Sequence, residues 1–345
     1  MFIIILLLYY ERNTNKLYLF FFYFFKDPLS TFTRYLNNRK RQPSYGTLLN
    51  DWNDRIKVKI SELNKIKKNA VLIVNVSFHP ELGEKYKGKF VSASASASAL
   101  TSLPDDDINP SDLLVIPRNE SVIFMCGDSI VGGVVRQVTS KKVANYYGSK
   151  TKATVEAHPK IKRGKAHAGK GTLVGHGKRK EFLGSHSGSY VYNKNSKLNP
   201  EAKKIFDSNG DTLAQWLYDN AKRDMPWITR SYEDFKNAVS LGDNEIIGAL
   251  FCSKNYMAVG HCDDDRSEWA LGFVYEEGVV KEGIFFYPDY GVAIEMSSNS
   301  IWYWKTNAVH GTARLNLSEG GTRYTAAISL TERTAKSIER EKGLI

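Results

Sequence analysis

The feature that most constrains this chain lies between positions 246 and 330, where short apolar runs alternate with turn residues. The runs are Ile246–Phe251, Trp269–Tyr275, Gly283–Tyr287, Gly291–Met296, Ser300–Trp304, Ala308–Leu315 and Arg323–Leu330. Each is too short to bury a helical face, and turn-forming residues fill the gaps. Strands of this length and spacing belong to antiparallel sheets packed as a sandwich or closed as a barrel, because parallel strands need long crossovers. Upstream, Asn199-Pro200-Glu201 has the form of a helix start, with asparagine as the cap and proline in the first turn. That helix is expected to run to about Arg223, and a second covers Tyr232–Ser240. The expected fold class is α+β, a jelly-roll barrel with helices between 200 and 240 buttressing one face.

A chain of 345 residues accommodates one large or two modest domains. The expected divisions are an apolar N-terminal segment over 1–44, an N-terminal region over 45–140, a basic segment over 141–180 and the barrel domain over 181–335. Within the second, Tyr45–Lys68 reads as charged and helical, and Ala70–Val76 as a buried strand. The Ser-Ala alternation over Ser92–Ala99, Pro104 and the run Asp105–Asp107 read as a linker. Short strands are expected at Leu113–Ile116, Ser121–Met125 and Val131–Val138, the last two joined by a turn at Gly127 and Asp128.

The N-terminal runs Phe2–Tyr10 and Leu17–Phe25 are almost wholly apolar, but Glu11, Arg12 and Lys16 interrupt them. Each is about half of the roughly 20 residues a spanning helix needs. No basic stretch precedes the first run and no small-residue cleavage site follows it, which argues against a secretory signal. Their Phe, Ile, Leu, Tyr, Asn and Lys content matches AT-rich codons, so they are expected to be translated upstream sequence outside the fold, with no stable membrane association; a membrane anchor is the alternative. Cys126, Cys252 and Cys262 are odd in number and lack zinc-ribbon spacing, as expected in a reducing, intracellular compartment.

The net charge of +11 is unevenly placed. Between Lys141 and Lys180 stand twelve Lys or Arg and one acid, Glu156, so this segment carries the whole excess (12 − 1 = +11). A basic stretch in an otherwise balanced chain points to a polyanion partner, or else to a solvated loop. Its glycines do not have phosphate-loop spacing, and His158, His167 and His176 lack nearby acids or cysteines and read as incidental.

Chemistry concentrates further on. His261-Cys262-Asp263 opens the strand series, His310 follows 47 positions after Asp263 within Ala-Val-His-Gly-Thr, and Arg323 comes 13 after that. Two imidazoles and one carboxylate can occupy one face of an iron(II) octahedron and leave the opposite positions open for a bidentate co-substrate and dioxygen. An arginine can then grip a distant carboxylate in a two-pronged fork. In a strand Arg323 and Thr325 share a face, so both can serve that carboxylate. The turn Ser318–Gly321 is expected to put the strands of His310 and Arg323 side by side.

An HxD step, a distal histidine and an arginine on the last strand resemble the iron(II)/2-oxoglutarate-dependent dioxygenases, which are built on a double-stranded β-helix. The resemblance covers Asn255–Leu330. It implies His261, Asp263 and His310 as metal ligands and catalytic centre, with Arg323, Tyr256 and Thr325 binding co-substrate. Arg314, of the same strand parity as His310, is the rival anchor. The implied cofactors are Fe(II), 2-oxoglutarate and O2, with succinate and carbon dioxide as by-products.

The segments His261–Asp265, Gly283–Pro288 and His310–Thr312 are similar to those of TET/JBP-like oxygenases of fungi and algae, whose substrates are thymine or 5-methylcytosine. Prolyl-hydroxylase-like and AlkB-like groups share much of that core. The resemblance and the basic segment together imply a methylated base in nucleic acid as substrate, DNA as partner and the nucleus as location. The alternatives are a protein prolyl or lysyl hydroxylase and a nucleic-acid-binding barrel without turnover. Trp302 and Trp304 share a strand face and are expected in the core, and Cys262, Asp264 and Asp265 are not expected to be ligands.

Overall fold

The computed structural model describes residues 3–11, 16–24, 70–91, 107–108, 112–157, 170–176, 178–180, 187–189, 200–241, 248–278, 280, 283–313 and 321–345. The expectations for 45–68, 92–99, His158, His167, Asn199, Arg314 and the turn 318–320 lie outside these residues. The chain divides into two compact units, Met1–Val76 with Glu120–Ile130, and Ser77–Asn119 with Val131–Ile345.

The smaller unit is a sheet. Ile3–Glu11 and Lys16–Phe24 form an antiparallel pair, and Ala70–Asn75 lies parallel to both Ile3–Glu11 and Ser121–Cys126. The apolar runs set apart from the fold on sequence grounds are therefore paired strands. No helix among the described residues is long and apolar enough to cross a membrane.

The larger unit is α+β. Its strands are Leu114–Ile116 (β1), Ser129–Arg136 (β2, from Val131 onward), Lys170–His176 (β3), Ala249–His261 (β4) and Trp269–Glu277 (β5). Ile284–Tyr287 (β6), Val292–Glu295 (β7), Ser300–Lys305 (β8), His310–Thr312 (β9) and Thr322–Ser329 (β10) follow. Helices are Pro80–Tyr86 (α1), Lys141–Ala157 (α2), Pro200–Asp224 (α3), Pro226–Ala238 (α4) and Glu332–Glu341 (α5).

One sheet runs β2-β8-β5-β10-β4-β3 and the other β4-β9-β6-β7-β1, with β4 common to both. After β5 the chain passes to β6 and β7 in the second sheet, back to β8, across to β9 and back to β10. That alternation makes a jelly roll of the double-stranded β-helix kind. It also corrects the expected neighbourhood of β9 and β10. The two strands are not adjacent, because β9 pairs with β4 and β6 while β10 pairs with β4 and β5.

Strand β4 serves two sheets because it bends. Ala249 to Lys254 pair with β10, then Asn255 takes a left-handed backbone (φ 49°), and Ala258 and His261 pair with β9. Asparagine tolerates that conformation better than most residues. Its side chain also fastens the bend, Oδ1 accepting the Arg323 amide at 2.8 Å.

Alternation along the strands separates an inner from an outer face. Phe273, Tyr303 and Tyr324 face outward: Phe273 packs edge-on against Trp216 of α3, Tyr303 against Trp227 of α4, and Tyr324 bonds Glu156 of α2. Gly272, Trp302, Trp304, Arg323 and Thr325 lie on the opposite, inner face, and the two indoles stack at 5.7 Å. The helices over 200–238 thus buttress the sheet as expected, joined by α2 from the basic segment. That segment is accordingly not a loop where it is described. Ala144, Gly148, Thr151 and Val155 fall at helical spacing and are buried, and 170–176 adds a strand beside β4.

Candidate metal centre

His261 ends β4 and His310 begins β9, directly opposite each other in the register. Gly260 places the first. It is bonded on both sides to the segment after α1, through the amide of Gly88 and the carbonyl of Lys89, and a Cβ on it would lie 2.3 Å from the carbonyl oxygen of Tyr86. Only glycine allows this approach. Asp263 follows in a loop whose backbone is pinned, its own amide donating to the Thr306 carbonyl at 2.9 Å. Beyond it, Arg266 clamps Glu332 and Glu339 of α5.

His310 Nε2 lies 3.2 Å from one oxygen of Asp263, and His261 Nε2 lies 3.6 Å from the other. Donor atoms of all three fall within 4.8 Å of one another, and among the described residues no other His, Cys, Asp or Glu group gathers in this way. In each histidine Nδ1 faces a main-chain carbonyl, Val259 at 2.8 Å and Ala308 at 2.9 Å. A carbonyl only accepts, so Nδ1 carries the proton and the lone pair of the neutral ring sits on Nε2. Two such lone pairs directed at one carboxylate repel unless a positive charge lies between them. The set therefore fits a divalent cation, with the outer ring nitrogens held as in many metal sites.

The centre is asymmetric. The His310 side chain is 4% exposed, while His261 and Asp263 are 33% and 37% exposed. On the buried side stand Phe285, stacked on the His310 ring at 5.8 Å, and Trp304 at 5.4 Å. Burial, and then the Asp263 charge, push the Asp265 carboxyl up to about 7.

Arg323 and Thr325 share the inner face of β10, as expected, and the Thr325 hydroxyl pairs with Ser253. Tyr256 stands half-buried just after the bend of β4. Arg323 is buried, and Glu276 of β5 accepts from its Nε at 3.0 Å and Nη2 at 2.8 Å. One edge of the expected fork is thus committed to a protein carboxylate. Arg323 Nη1 has no hydrogen-bond partner, and a buried donor of this kind suits an anionic ligand. Burial lowers the guanidinium's proton affinity, and Glu276 opposes that.

No protein-family model matches this sequence, and no curated protein matches it. Among solved structures, NgTET1 in complex with 5mC DNA overlaps 68% of this chain and 83% of its own, at 11% identity and a TM-score of 0.46. JOX2 in complex with 2OG, Fe and JA overlaps 68% and 81%, at 12% identity and a TM-score of 0.36. IDO from Bacillus thuringiensis overlaps 58% and 92%, at 8% identity and a TM-score of 0.29. All three scores are low, and the fold assignment rests on strand order and register.

Three residues without a sequence signal hold these groups in place. Asp289 accepts the amide of Val309, Glu276 holds Arg323, and Arg118 also bonds Glu276. Asp289 follows the Gly283–Pro288 segment, yet nothing in sequence pairs it with Val309. His176, read as incidental, is a structural residue, its Nε2 2.7 Å from Asp211 of α3.

Proposed function

We propose that the chain is an iron(II)- and 2-oxoglutarate-dependent dioxygenase. The observation that carries the reading is the convergence of His261 Nε2, His310 Nε2 and the Asp263 carboxylate, with both Nδ1 groups tied back to carbonyls. Iron(II), 2-oxoglutarate and dioxygen supply, when bound, an oxidation that hydroxylates a C–H bond and releases succinate and carbon dioxide. The chain's own residues hold and orient. His261, Asp263 and His310 would grip one face of the ion, and Arg323 would receive the distal carboxylate through Nη1. Phe285, Trp302 and Trp304 keep water from the His310 side, while the exposed flank of His261 and Asp263 faces the substrate.

For the substrate we propose a methylated base, 5-methylcytosine or thymine, in nucleic acid. Support comes from charge: α2 leaves Lys141, Lys142 and Tyr146 exposed, within the segment that holds the entire cationic excess. Basic side chains beside an exposed ring suit a phosphate backbone, and a base in a duplex would be flipped to reach the iron. The rival substrate, a prolyl or lysyl side chain of a protein, is favoured by a different fact. Lys150 and Lys152 are already engaged with Asn209 and Glu277, which takes two cations from any phosphate contact.

Anaerobic titration of the apoprotein with iron(II) and then 2-oxoglutarate tests the first reading. A metal-to-ligand charge-transfer band is expected, and its absence at saturating iron would refute the assignment. Succinate release driven by methylated duplex but not by unmethylated duplex or proline- and lysine-rich peptides decides the substrate. A barrel that binds DNA without releasing succinate would be a binding protein only.

A further inference from the structure

We propose that Glu276 and Arg118 are positioning residues that hold Arg323 so that one edge of its guanidinium, and one surplus positive charge, are presented to a single carboxylate. The inference rests on the dioxygenase reading and specifies which residues set co-substrate recognition.

The geometry begins with Arg323, whose side chain is 2% exposed, and Glu276, at 7%. Glu276 Oε1 receives Nε and Nη2, the side-on edge of the guanidinium. Gly283 stands at its Nη1–Nη2 end. A Cβ there would lie 1.8 Å from Nη1, 2.1 Å from Nη2 and 2.2 Å from Cζ, so any other residue would displace the group. A planar cation fixed along its Nε–Nη2 edge meets a ligand through Nη1, and the absence of a side chain at Gly283 keeps that end from being filled. Nη1 is the atom without a partner.

Charge explains Arg118. Glu276 alone would neutralise Arg323 and leave little attraction for an anion. Arg118 Nη2 bonds the second oxygen of Glu276, while its Nη1 donates to the Val280 carbonyl at 3.2 Å. Two guanidiniums then share one carboxylate, a surplus of one (2 − 1 = +1). A further acid and base keep that balance. Glu295 accepts the Arg118 amide, and the Arg136 guanidinium bonds the Glu295 carbonyl, so three cations face two anions (3 − 2 = +1). A 2-oxoacid whose far end is a single carboxylate matches this surplus, and a neutral tail leaves it uncompensated.

The inner face orders the pieces along the barrel. Trp304, beside His310, is opposite Ala270, Trp302 is opposite Gly272, and Arg323 is opposite Glu276. The Glu276 assembly thus lies further along the same inner face from Trp304.

The test is the anaerobic titration in three proteins: wild type, Glu276→Gln and Arg118→Met. The glutamine variant keeps the shape but sets an amide donor against Arg118. The methionine variant keeps the Arg323–Glu276 pair while removing the surplus charge. Arg118→Met is expected to raise half-saturating 2-oxoglutarate roughly tenfold or more, and Glu276→Gln to raise it by less, because the positive charge it frees offsets part of the lost positioning, with iron affinity unchanged in both. Arg118 is 38% exposed at its side chain, so its variant decides the matter alone if Glu276→Gln fails to fold. Unchanged titration in Arg118→Met, or tighter binding in Glu276→Gln, would overturn the inference while leaving the dioxygenase reading intact. A wild type that binds iron but gives no band fails at the earlier step and removes both.

Discussion

Asp289 Oδ2 accepts a hydrogen bond of 2.7 Å from the amide of Val309, the residue immediately before His310. The carboxylate is almost buried, and burial raises its proton affinity while the Val309 bond opposes that rise. Removing it in Asp289→Ala leaves a buried N–H unpaired, at a cost of about 1–3 kcal/mol. The start of β9 should loosen, and iron affinity should fall roughly tenfold to a hundredfold, as when outer partners of metal ligands are removed. Denaturant unfolding of the metal-free protein reads the first effect and iron titration the second. Wild-type values in both would show that Asp289 does not set the histidine.

Ala in place of His261, Asp263 or His310 should abolish stoichiometric iron binding, since three ligands leave no spare. His310→Ala should also lower stability, because this ring is buried against Phe285 and Trp304, whereas the more exposed His261 should cost little. Stoichiometric iron in all three variants would dismiss the centre.

Arg323→Ala should separate into two effects. The proposed co-substrate loses its buried donor, and Glu276 loses the more buried of its guanidinium partners, the one that gives it two hydrogen bonds, which for a buried ion pair costs about 3–5 kcal/mol. Both apparent 2-oxoglutarate affinity and unfolding free energy should fall, with iron still binding to the folded fraction. Full stability would mean the pair is not formed in solution.

Glu332 is held below its usual carboxyl range by its bond to Arg266, the contact that ties the Asp263 loop to α5. A depressed carboxyl contributes stability that is present above its unfolded value and is lost as pH falls through the folded one. Acid titration of stability should therefore show a component below pH 4.5 that Glu332→Gln removes. Superimposable pH profiles would mean the clamp contributes nothing.

Nucleic-acid binding should weaken with salt. Log K falls against log[salt] by about 0.9 per phosphate contact on duplex DNA. Replacing Lys141 and Lys142 by Ala should flatten that slope by nearly two such steps and weaken binding regardless of sequence. The further lysines and arginine at 160, 162, 163 and 165 lie outside the described residues but belong in the same series. A salt slope indifferent to both groups would return the protein-hydroxylase reading to equal standing.

The strand series and the His261, Asp263 and His310 set were legible in sequence because both are local signals: apolar runs punctuated by turns, and ligand types at recognisable intervals. Sheet membership was not. A short turn between His310 and Arg323 suggested a hairpin, but the strands cross to opposite sheets, and no local pattern distinguishes these outcomes. The helix Lys141–Ala157 was hidden by its charge, since its buried positions are Ala, Gly, Thr and Val rather than large apolar residues. Asp289, Glu276 and Arg118 were invisible for another reason. Arg118 meets Glu276 across 158 positions, and such partnerships are settled by topology alone.

The shared strand β4 also bears on the order in which the molecule assembles. Ala249 pairs with Ser329, 80 positions away (329 − 249), and Leu250 with His176, 74 away (250 − 176). Contacts of such separation close late and slowly, because chain entropy must be lost before they reward it. His261 rides on the far end of this strand and meets His310 only through its pairing with β9. The proposed metal ligands therefore come together as a product of chain closure and cannot nucleate it. Iron capture during refolding would then act as a clock for the final step, lagging behind the appearance of helix.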